Sequence, residues 1–265
     1  MNISFIIPTY NCERYIRKTI ESIHNDNLIK GDEIIVIDDN SSDGTTEILK
    51  SLINIKMIDE LILSKYNRGE GVSKNIAINK SKNSYFFCLD HDNLLKKGSI
   101  SQLRKFMGTY DVISFGECEY FEYFKKNVTH KHIYQETLNL IEFENSTVNP
   151  GFSGNLLYKK SAWLKVGGFE NVVLESWNIM YKMLLSEKTV KVVTGSSYLH
   201  RYGHESAYTS ARRKYTDAEL INKAFPAKIN NNLKMNKTSE FIRYNHIRYH
   251  ISRFARKIRI FLKGK

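Results

Sequence analysis

The sequence predicts an α/β fold, in which a mostly parallel β-sheet is flanked by helices. Short apolar runs alternate along the chain with stretches whose apolar residues recur at helical spacing. The runs are apolar at successive positions, which is typical of parallel strands that are buried on both faces. Polar residues, chiefly aspartates, follow several of these runs at the point where a strand would leave the core. An alternation of this kind implies a helix-covered parallel sheet.

The first half of the chain contains four predicted strands and three predicted helices. The strands are residues 3–7, 33–37, 58–63 and 85–89, and the helices are residues 13–24, 43–52 and 71–80. Tyr15, Ile16, Ile20 and Ile23 have the spacing of one helical face. Asp43 is suited to cap the second helix, because its side chain can accept a hydrogen bond from a free backbone N–H.

The second half of the chain is less regular. Residues 111–115 and 189–193 predict two further strands, and residues 161–166 and 175–185 predict two helices. The stretch 117–134 is rich in Tyr and Phe and fits either a hairpin or an excursion from the sheet. Residues 149–154 form the strongest turn cluster of the chain.

Polar residues at the carboxyl ends of the predicted strands mark the candidate site, because ligands of open α/β sheets bind there. They are Thr9, Asp38, Asp39, Asp90 and Asp92. The first strand is followed by neither GxGxxG nor GxxxxGK[ST], which disfavours a standard dinucleotide site or a P-loop. Asp90 and Asp92 flank one turn, an arrangement suited to a hard divalent cation that is shared with phosphate oxygens.

The excess positive charge lies in the last fifth of the chain. The whole sequence has 40 basic and 28 acidic residues, a net charge of +12. Residues 1–210 carry 25 of each sign, whereas residues 211–265 carry 15 basic and 3 acidic residues. This distribution predicts a neutral domain over residues 1–210 and a basic extension over residues 211–265.

The cysteines and the hydropathy pattern predict the compartment. Cys12, Cys88 and Cys118 are odd in number and widely spaced, so we expect reduced thiols and a cytoplasmic protein. The sequence shows no signal-peptide pattern and no apolar run near the roughly 18 residues of a membrane span. We therefore expect a protein that is not integral to a membrane.

An ordered set of short motifs resembles the family-2 glycosyltransferases, which have the GT-A fold. The motifs in chain order are IIPTYN at 6–11, VIDDNSSDGT at 36–45, NRG at 67–69, KN at 74–75, LDHD at 89–92, GGF at 167–169 and ESW at 175–177. The resemblance covers about residues 3–206. It implies a Rossmann-like nucleotide-binding sheet, an inverting reaction and a DxD motif.

The resemblance also implies roles for individual residues. Pro8, Thr9 and Asp39 match positions that hold the nucleoside, and Lys74 stands near the diphosphate, where an Arg is usual. Asp90 and Asp92 match the metal-binding DxD, and Asp90 and the intervening His91 are also expected to bind the nucleotide sugar. His204 matches a late histidine that can join the metal or the diphosphate, and His200 is a second candidate. Gly151, Gly154 and Asn155 match the loop beside the acceptor.

Several of these residues also have purely structural interpretations. Asp39 could be a turn residue, Lys74 a solvated charge on a helix and His204 a loop histidine. For Asp43 the structural interpretation, a helix cap, is preferred.

The position of the catalytic base departs from the family pattern. The family has Glu-Asp before an aromatic residue, whereas this chain has Glu175, Ser176 and Trp177. A Ser hydroxyl is a poor base at pH 7, so Glu175 is the predicted general base. Glu170 is the reserve candidate. Alternatively, Glu175 is an acid placed favourably at a helix N-terminus.

These features predict an inverting transfer of a sugar from a nucleotide sugar, UDP-sugar favoured, to a saccharide or lipid-linked acceptor in glycan biosynthesis. Mn²⁺ or Mg²⁺ is the expected cofactor. The alternative is a non-catalytic, membrane-associated scaffold with a degenerate GT-A fold, which Ser176 supports. A nucleotidyltransferase is disfavoured because no glycine-rich, basic phosphate loop follows the first strand.

The end of the basic extension predicts an amphipathic helix. Residues 241–265 contain eight Lys/Arg, no acidic residue and an apolar stripe with spacings of three and four. The stripe consists of Tyr244, Ile247, Ile251, Phe254, Ile258 and Phe261. Such a helix suits an anionic membrane surface, here the inner face of the cell membrane. Docking onto the catalytic domain or a homo-oligomer is the alternative, and a nucleic-acid partner is not expected beside a neutral domain.

Overall fold

The computed structural model describes residues 1–122, 125–134, 138–140, 143, 154–202, 214 and 219. Within this part of the chain, nine strands form one sheet with helices packed against it. The strand order is β3-β2-β1-β4-β8-β6-β9-β5, and β7 pairs with β6. The strands are β1 Ile3–Thr9, β2 Glu33–Asp38, β3 Glu60–Leu63, β4 Tyr85–Cys88, β5 Leu94–Leu95, β6 Val112–Glu122, β7 Lys125–Ile133, β8 Leu156–Lys159 and β9 Val190–Tyr202.

Six helices connect these strands in the described residues. They are α1 Ile16–His24, α2 Thr45–Asn54, α3 Glu70–Lys80, α4 Ser99–Arg104, α5 Lys160–Lys165 and α6 Glu175–Leu185. The predicted helices of the first half correspond to α1, α2 and α3. Ile16, Ile20 and Ile23 are fully buried, which confirms the apolar face assigned to α1. None of the described helices is long and apolar enough to cross a membrane.

The first four strands are parallel, as the sequence predicts. β1 lies between β2 and β4, and β3 extends the sheet beyond β2. Every residue of β1, β2 and β4 is buried, which explains why these strands are apolar at successive positions. The register pairs Thr9 with Asp38, so the polar residues that follow β1 and β2 lie at one edge of the sheet.

The second half of the sheet is mixed. β8 is antiparallel to both β4 and β6, whereas the long strands β6 and β9 are parallel to each other. β6 and β7 form an antiparallel hairpin, which decides between the two interpretations of the aromatic-rich stretch. The prediction missed β5, α4 and β8, and it ended the last strand at residue 193, whereas β9 continues to Tyr202.

The fold brings α6 against the first half of the chain through one loop. Asn75 on α3 donates a hydrogen bond to the carbonyl of Phe169 (2.8 Å) and accepts one from the amide of Phe169 (3.0 Å). Lys182 on α6 donates to the carbonyl of Gly168 (2.9 Å). The GGF segment therefore connects α3 to α6, the two helices that carry Lys74 and Glu175.

Candidate active site

Asp38 fixes the edge of the sheet at the end of β2. Its carboxylate accepts hydrogen bonds from the hydroxyls of Thr9 (3.0 Å), Ser41 (2.6 Å) and Thr46 (3.3 Å), and from the amide of Ser41 (3.0 Å). These donors come from β1, from the loop after β2 and from α2. Asp38 is 2% exposed, so its role in this structure is to hold three elements together.

Asp39 is the next residue, and its carboxylate binds the loop that precedes α3. Its two oxygens accept from the amides of Arg68 (2.9 Å) and Gly69 (2.8 Å). Gly69 has φ +90, and a Cβ there would lie 2.1 Å from Oδ1 of Asn171, so only glycine presents this amide. A carboxylate has about four acceptor positions, so Asp39 can still accept a hydrogen bond from a ligand.

The turn after β4 carries Asp90 and Asp92. The amide of Asp90 donates to Oδ1 of Asn155 (2.8 Å), and Oδ2 of Asp90 accepts from Nδ2 of Asn93 (3.0 Å). Nδ1 of His91 lies 3.2 Å from the carbonyl oxygen of Pro8. The turn is thus attached to β1 and to the segment before β8. Pro8 and Asn155, both predicted as site residues, contact the turn.

Arg201 on β9 holds the other side of the same turn. Its Nε donates to the carbonyl oxygen of Asp92 (2.9 Å), and its amide donates to Oδ1 of Asn93 (3.1 Å). The guanidinium lies between the rings of Tyr15 (4.7 Å) and Phe121 (4.6 Å), and Arg201 is 2% exposed. No motif of the sequence indicated a role for Arg201.

Lys74 on α3 lies at the centre of an acidic cluster. Its ammonium is 2.7 Å from Oε1 of Glu70, 2.8 Å from Oε1 of Glu175 and 3.8 Å from Oδ1 of Asp90. The Lys74 side chain is fully buried and also lies over the ring of Phe169 (5.4 Å). A solvated helix charge, one of the two interpretations of Lys74, is therefore wrong. Glu70 and Lys74 are one helical turn apart, a spacing in the sequence that favours an ion pair.

Glu175 begins α6 and is 9% exposed. Its Oε1 accepts two hydrogen bonds, one from Lys74 and one from the hydroxyl of Ser176 (2.7 Å). The preceding residue, Leu174, has φ +72, a conformation that is costly for a bulky side chain. Strain of this kind is retained where the surrounding structure requires a particular geometry, here the start of the helix that presents Glu175.

Burial and neighbouring charges shift two pKa values in the cluster. Burial raises the pKa of Asp90, and the charges of Asp92 and Glu175 add to that shift, while Lys74 opposes it. Burial alone would lower the pKa of Lys74, but Glu175, Glu70 and Asp90 raise it well above its usual value. Lys74 is therefore charged, and its single ammonium interacts with the carboxylates of Glu70, Glu175 and Asp90.

The donor set of the DxD turn fits a hard divalent cation. Asp90 and Asp92 offer carboxylate oxygens, and Mg²⁺ commonly binds one or two protein carboxylates together with water and phosphate. The surplus of carboxylates over the single ammonium of Lys74 also favours a cation. Within the described residues, no group of three or more His, Cys, Asp or Glu forms a complete metal cage.

Other predicted residues lie elsewhere or outside the described part of the chain. Gly151 and His204 fall on undescribed residues. The ring of His200 packs against Tyr120 (5.2 Å) and Tyr198 (6.2 Å). The carboxylate of Glu170, the reserve base, accepts hydrogen bonds from Asn178 (3.3 Å) and Lys182 (3.2 Å) on α6.

Asp43 stabilises the start of α2, although Gly44 occupies the cap position itself. The Asp43 carboxylate accepts from the amide (3.0 Å) and hydroxyl (2.5 Å) of Thr45 and from the amide of Glu13 (3.2 Å). Asp43 therefore has a structural role at the start of α2, although it precedes the cap residue and is not the cap that the sequence predicted.

A parallel sheet with acidic side chains at its carboxyl edge, continued by mixed strands, defines an α/β protein of the GT-A class, and solved structures support this. Staphylococcus aureus TarS in complex with UDP-GlcNAc matches with a TM-score of 0.66 and 20% identity, over 84% of this chain and 64% of that one. A mannosyltransferase of Pyrobaculum calidifontis in complex with GDP-Man and Mn²⁺ matches with a TM-score of 0.63 and 15% identity, over 86% and 64%. The chain belongs to glycosyl transferase family 2, whose model matches residues 4–167.

A curated relative gives the family membership a biochemical context. The GalNAc(5)-diNAcBac-PP-undecaprenol β-1,3-glucosyltransferase of Campylobacter jejuni is 32% identical over 117 residues, which are 44% of this chain and 38% of that protein. The chain spans less than half of the length of the curated relatives it matches most strongly. The family is thus shown, while the activity of this chain is a proposal.

Proposed function

We propose that this protein is an inverting glycosyltransferase that moves a sugar from a UDP-sugar to an acceptor hydroxyl in glycan biosynthesis. One observation carries the proposal: in a family-2 fold, the carboxylates of Glu175 (2.8 Å) and Asp90 (3.8 Å) both lie close to the buried ammonium of Lys74. A candidate base and a candidate metal ligand are thus held together at the carboxyl edge of the sheet. This is the arrangement that a displacement at an anomeric carbon requires.

The donor lies along the ends of β1 and β2 in this proposal. Pro8, Thr9 and Asp39 line the nucleoside end, and the DxD turn lines the diphosphate end. Lys74 is buried among carboxylates, so its charge acts on the diphosphate from behind Asp90 rather than as an exposed contact. A solved relative of the same fold was crystallised with UDP-GlcNAc, which makes UDP-sugars the first donors to test.

A divalent cation, Mn²⁺ or Mg²⁺, would be held by Asp90 and Asp92 and would neutralise charge that develops on the departing diphosphate. His204 is proposed as a further ligand and lies outside the described residues. Asn93, Asn155 and Arg201 hold the backbone and carboxylates of the turn in place. Mn²⁺ in a solved structure of the same fold supports the proposal of a metal.

The acceptor is proposed to approach over Gly154 and Asn155. Gly151, predicted for the same acceptor-side role, lies outside the described residues. A saccharide or lipid-linked acceptor fits, since one relative is named for a glycan carried on undecaprenol. The basic segment 241–265 would then hold the enzyme on the inner face of the cell membrane, close to a lipid-linked acceptor. That segment lies outside the described residues. Its alternative role is to join subunits of a homo-oligomer, and loss of its charges would then change the oligomeric state.

The test measures UDP release from a panel of UDP-sugars with Mn²⁺, using the wild type, Glu175→Gln and Asp92→Asn. Loss of a general base lowers the rate by about 10²–10⁴-fold, so Glu175→Gln should release little UDP but still bind the donor. Asp92→Asn should lose the thermal stabilisation that Mn²⁺ and UDP together give. Lys80→Met, which removes an exposed charge at the last residue of α3, is the control.

A non-catalytic scaffold makes the opposite predictions. It would release no UDP from any nucleotide sugar, and Glu175→Gln would then change only stability. UDP release that is unchanged in Asp92→Asn would contradict the metal assignment while leaving the base assignment intact.

A further inference from the structure

The hydroxyl of Ser176 occupies a specific place beside the candidate base. It donates a hydrogen bond of 2.7 Å to Oε1 of Glu175, and Ser176 is 9% exposed. A Ser hydroxyl has one proton to donate and two lone pairs that accept. Because the proton is committed to Glu175, an incoming hydroxyl can only donate to Ser176.

The carboxylate of Glu175 is prepared for a proton that arrives along this hydrogen bond. Oε1 already accepts from Lys74 (2.8 Å) as well as from Ser176. A proton that passes from Oγ of Ser176 to Oε1 therefore moves along an existing contact, and no side chain has to rotate. Lys74 keeps Glu70 and Asp90 as partners when Glu175 becomes neutral.

Gly154 leaves space beside the hydroxyl of Ser176 at the proposed reaction centre. A Cβ at position 154 would lie 3.3 Å from Oγ of Ser176 and 3.2 Å from Oδ2 of Asp90. Both atoms thus border one small space that the absence of a side chain keeps open. Ser176 faces the same space as a candidate metal ligand, so a hydroxyl bound there is near both the base and the diphosphate end of the donor.

We propose that Ser176 is a catalytic residue that relays the acceptor proton to Glu175; this inference rests on the proposed glycosyl transfer. The acceptor oxygen forms a bond to the anomeric carbon while the bond from that carbon to the diphosphate oxygen breaks, and UDP leaves with the electron pair. The acceptor proton passes to Oγ of Ser176 as the proton of Ser176 passes to Oε1 of Glu175. Ser176 ends as a hydroxyl, and Glu175 ends as a carboxylic acid.

The relay explains how a serine can stand beside the base without acting as a base itself. A neutral hydroxyl is too weakly basic to hold the proton at pH 7, but a relay never leaves a charge on Ser176. The competing possibility is direct transfer to Oε2 of Glu175, which has no hydrogen-bond partner among the described residues. In that case the hydroxyl of Ser176 only positions the carboxylate.

The experiment compares Ser176→Ala with Ser176→Thr in the full chain, using the UDP-sugar that the wild type hydrolyses, with water as acceptor. Removing the hydroxyl should lower kcat at least tenfold with little change in KM, whereas Thr should retain kcat within about threefold. The dependence of kcat on the deuterium content of the solvent should show that two protons move together in the transition state, both in the wild type and in Ser176→Thr. Binding of UDP and thermal stability report whether each variant is folded.

The outcomes separate the relay from the proposed function. A wild-type kcat in Ser176→Ala, or a one-proton isotope effect in the wild type, overturns the relay and assigns the proton to Oε2 of Glu175. A wild type that releases no UDP from any nucleotide sugar overturns the proposed function, and the relay with it. The relay is established if Ser176→Ala lowers kcat tenfold, Ser176→Thr retains kcat, and the solvent isotope effect shows two protons moving in the transition state.

Discussion

The ammonium of Lys74 lies 2.8 Å from Oε1 of Glu175, although 101 positions separate the two residues in the chain. The contact joins α3 to α6 and is completely shielded on the Lys74 side. A buried ion pair stabilises little by itself, but removing one partner leaves an uncompensated charge. The stability of the site therefore depends on the presence of both the Lys74 ammonium and its carboxylate partners.

This dependence predicts non-additive effects on stability. Lys74→Met should lower the free energy of unfolding by about 3–5 kcal/mol, because three carboxylates lose their shared cation. The double variant with Glu175→Gln should lose less than the sum of the two single variants. Urea denaturation measures all three variants. The control is Lys80→Met, which breaks an exposed pair with Glu60 and should cost less than about 1 kcal/mol; strict additivity would contradict the prediction.

Gly71 should be intolerant of a side chain, although it lies in a helix. A Cβ there would lie 2.2 Å from the backbone oxygen of Glu170, which precedes α6. Alanine normally favours a helix by about 1 kcal/mol over glycine, yet Gly71→Ala should destabilise the fold by about 1–3 kcal/mol through overpacking.

The matched variant for Gly71→Ala is Gly44→Ala. A Cβ at position 44 meets only the flexible end of Glu13, at 2.8 Å from Oε2. Because alanine caps a helix less well than glycine, and the Glu13 carboxylate that accepts from the Gly44 amide must shift, thermal unfolding should place this variant within about 1 kcal/mol of the wild type. Equal stability of the two variants would show that the segment before α6 moves freely away from α3.

Asp43 should make stability depend on pH in the acid range. Burial alone would raise its pKa, but hydrogen bonds from Thr45 and from the amide of Glu13 lower it below the usual 3.8. A lowered pKa in the folded state contributes stability that is present above 3.8 and is lost as the pH falls through the folded-state pKa. Asp43→Asn should therefore be less stable than the wild type at pH 7, by less than about 1 kcal/mol.

The difference between wild type and Asp43→Asn should shrink below about pH 4, where the unfolded carboxyl is protonated. Urea unfolding at pH 7, 5 and 3.5 measures this. Asp26→Asn is the control, because Asp26 makes one exposed ion pair with Lys97. If the stability difference between wild type and Asp43→Asn does not change with pH, the charge of Asp43 does not explain its contribution to stability.

The basic segment 241–265 should bind anionic membranes. Each Lys or Arg near an anionic surface contributes about 1 kcal/mol, so replacing Arg253, Arg256 and Arg259 by Gln should weaken binding to phosphatidylglycerol vesicles by about 100-fold. Sedimentation with vesicles measures the effect, and neutral phosphatidylcholine vesicles serve as the control. Undiminished sedimentation of the variant would rule out the charge-based mechanism. A change in oligomeric state instead would indicate subunit docking.

The predictable part of the site is the part that follows directly from strand order. Asp38, Asp39, Asp90 and Asp92 each follow a buried run, so their place at one edge of the sheet could be read from the sequence. The short strand β8 was not predicted from the sequence. Its four residues lead directly into α5 and are too few to show the alternating hydrophobic pattern of a strand. Its antiparallel pairing with β4 and β6 depends on distant partners.

The contacts between side chains could not be predicted, because they join distant parts of the chain. Nothing near Lys74 in the sequence indicates Glu175, and nothing near Asp92 indicates Arg201. The exchange of a carboxylate for Ser176 was visible, but its hydrogen bond to Glu175 requires the start of α6 and the conformation of Leu174. The sequence therefore predicted the aspartates at this edge of the sheet, and tertiary packing determines how the side chains pair.

Arg201 should control metal binding without touching the metal. Its Nε donates to the carbonyl of Asp92, and its guanidinium lies over the rings of Tyr15 (4.7 Å) and Phe121 (4.6 Å). Lysine keeps the charge but lacks the planar fork and the Nε donor, so Arg201→Lys should loosen the turn. Loss of such a supporting contact typically lowers metal affinity by about 10–100-fold. Titration of Mn²⁺ in the presence of UDP, followed by thermal shift, measures the affinity.

The control for Arg201→Lys is Arg104→Lys, at the opposite edge of the sheet. Arg104 pairs with Asp32 and donates to the carbonyls of Met1 (3.1 Å) and Asn27 (3.3 Å), so its replacement should lower stability but leave the affinity for Mn²⁺ unchanged. If both variants lose metal affinity in proportion to their loss of stability, Arg201 acts only through the fold. A loss confined to Arg201→Lys would show that a residue of the last strand positions the DxD turn, which links the late strand β9 to the proposed diphosphate end of the donor site.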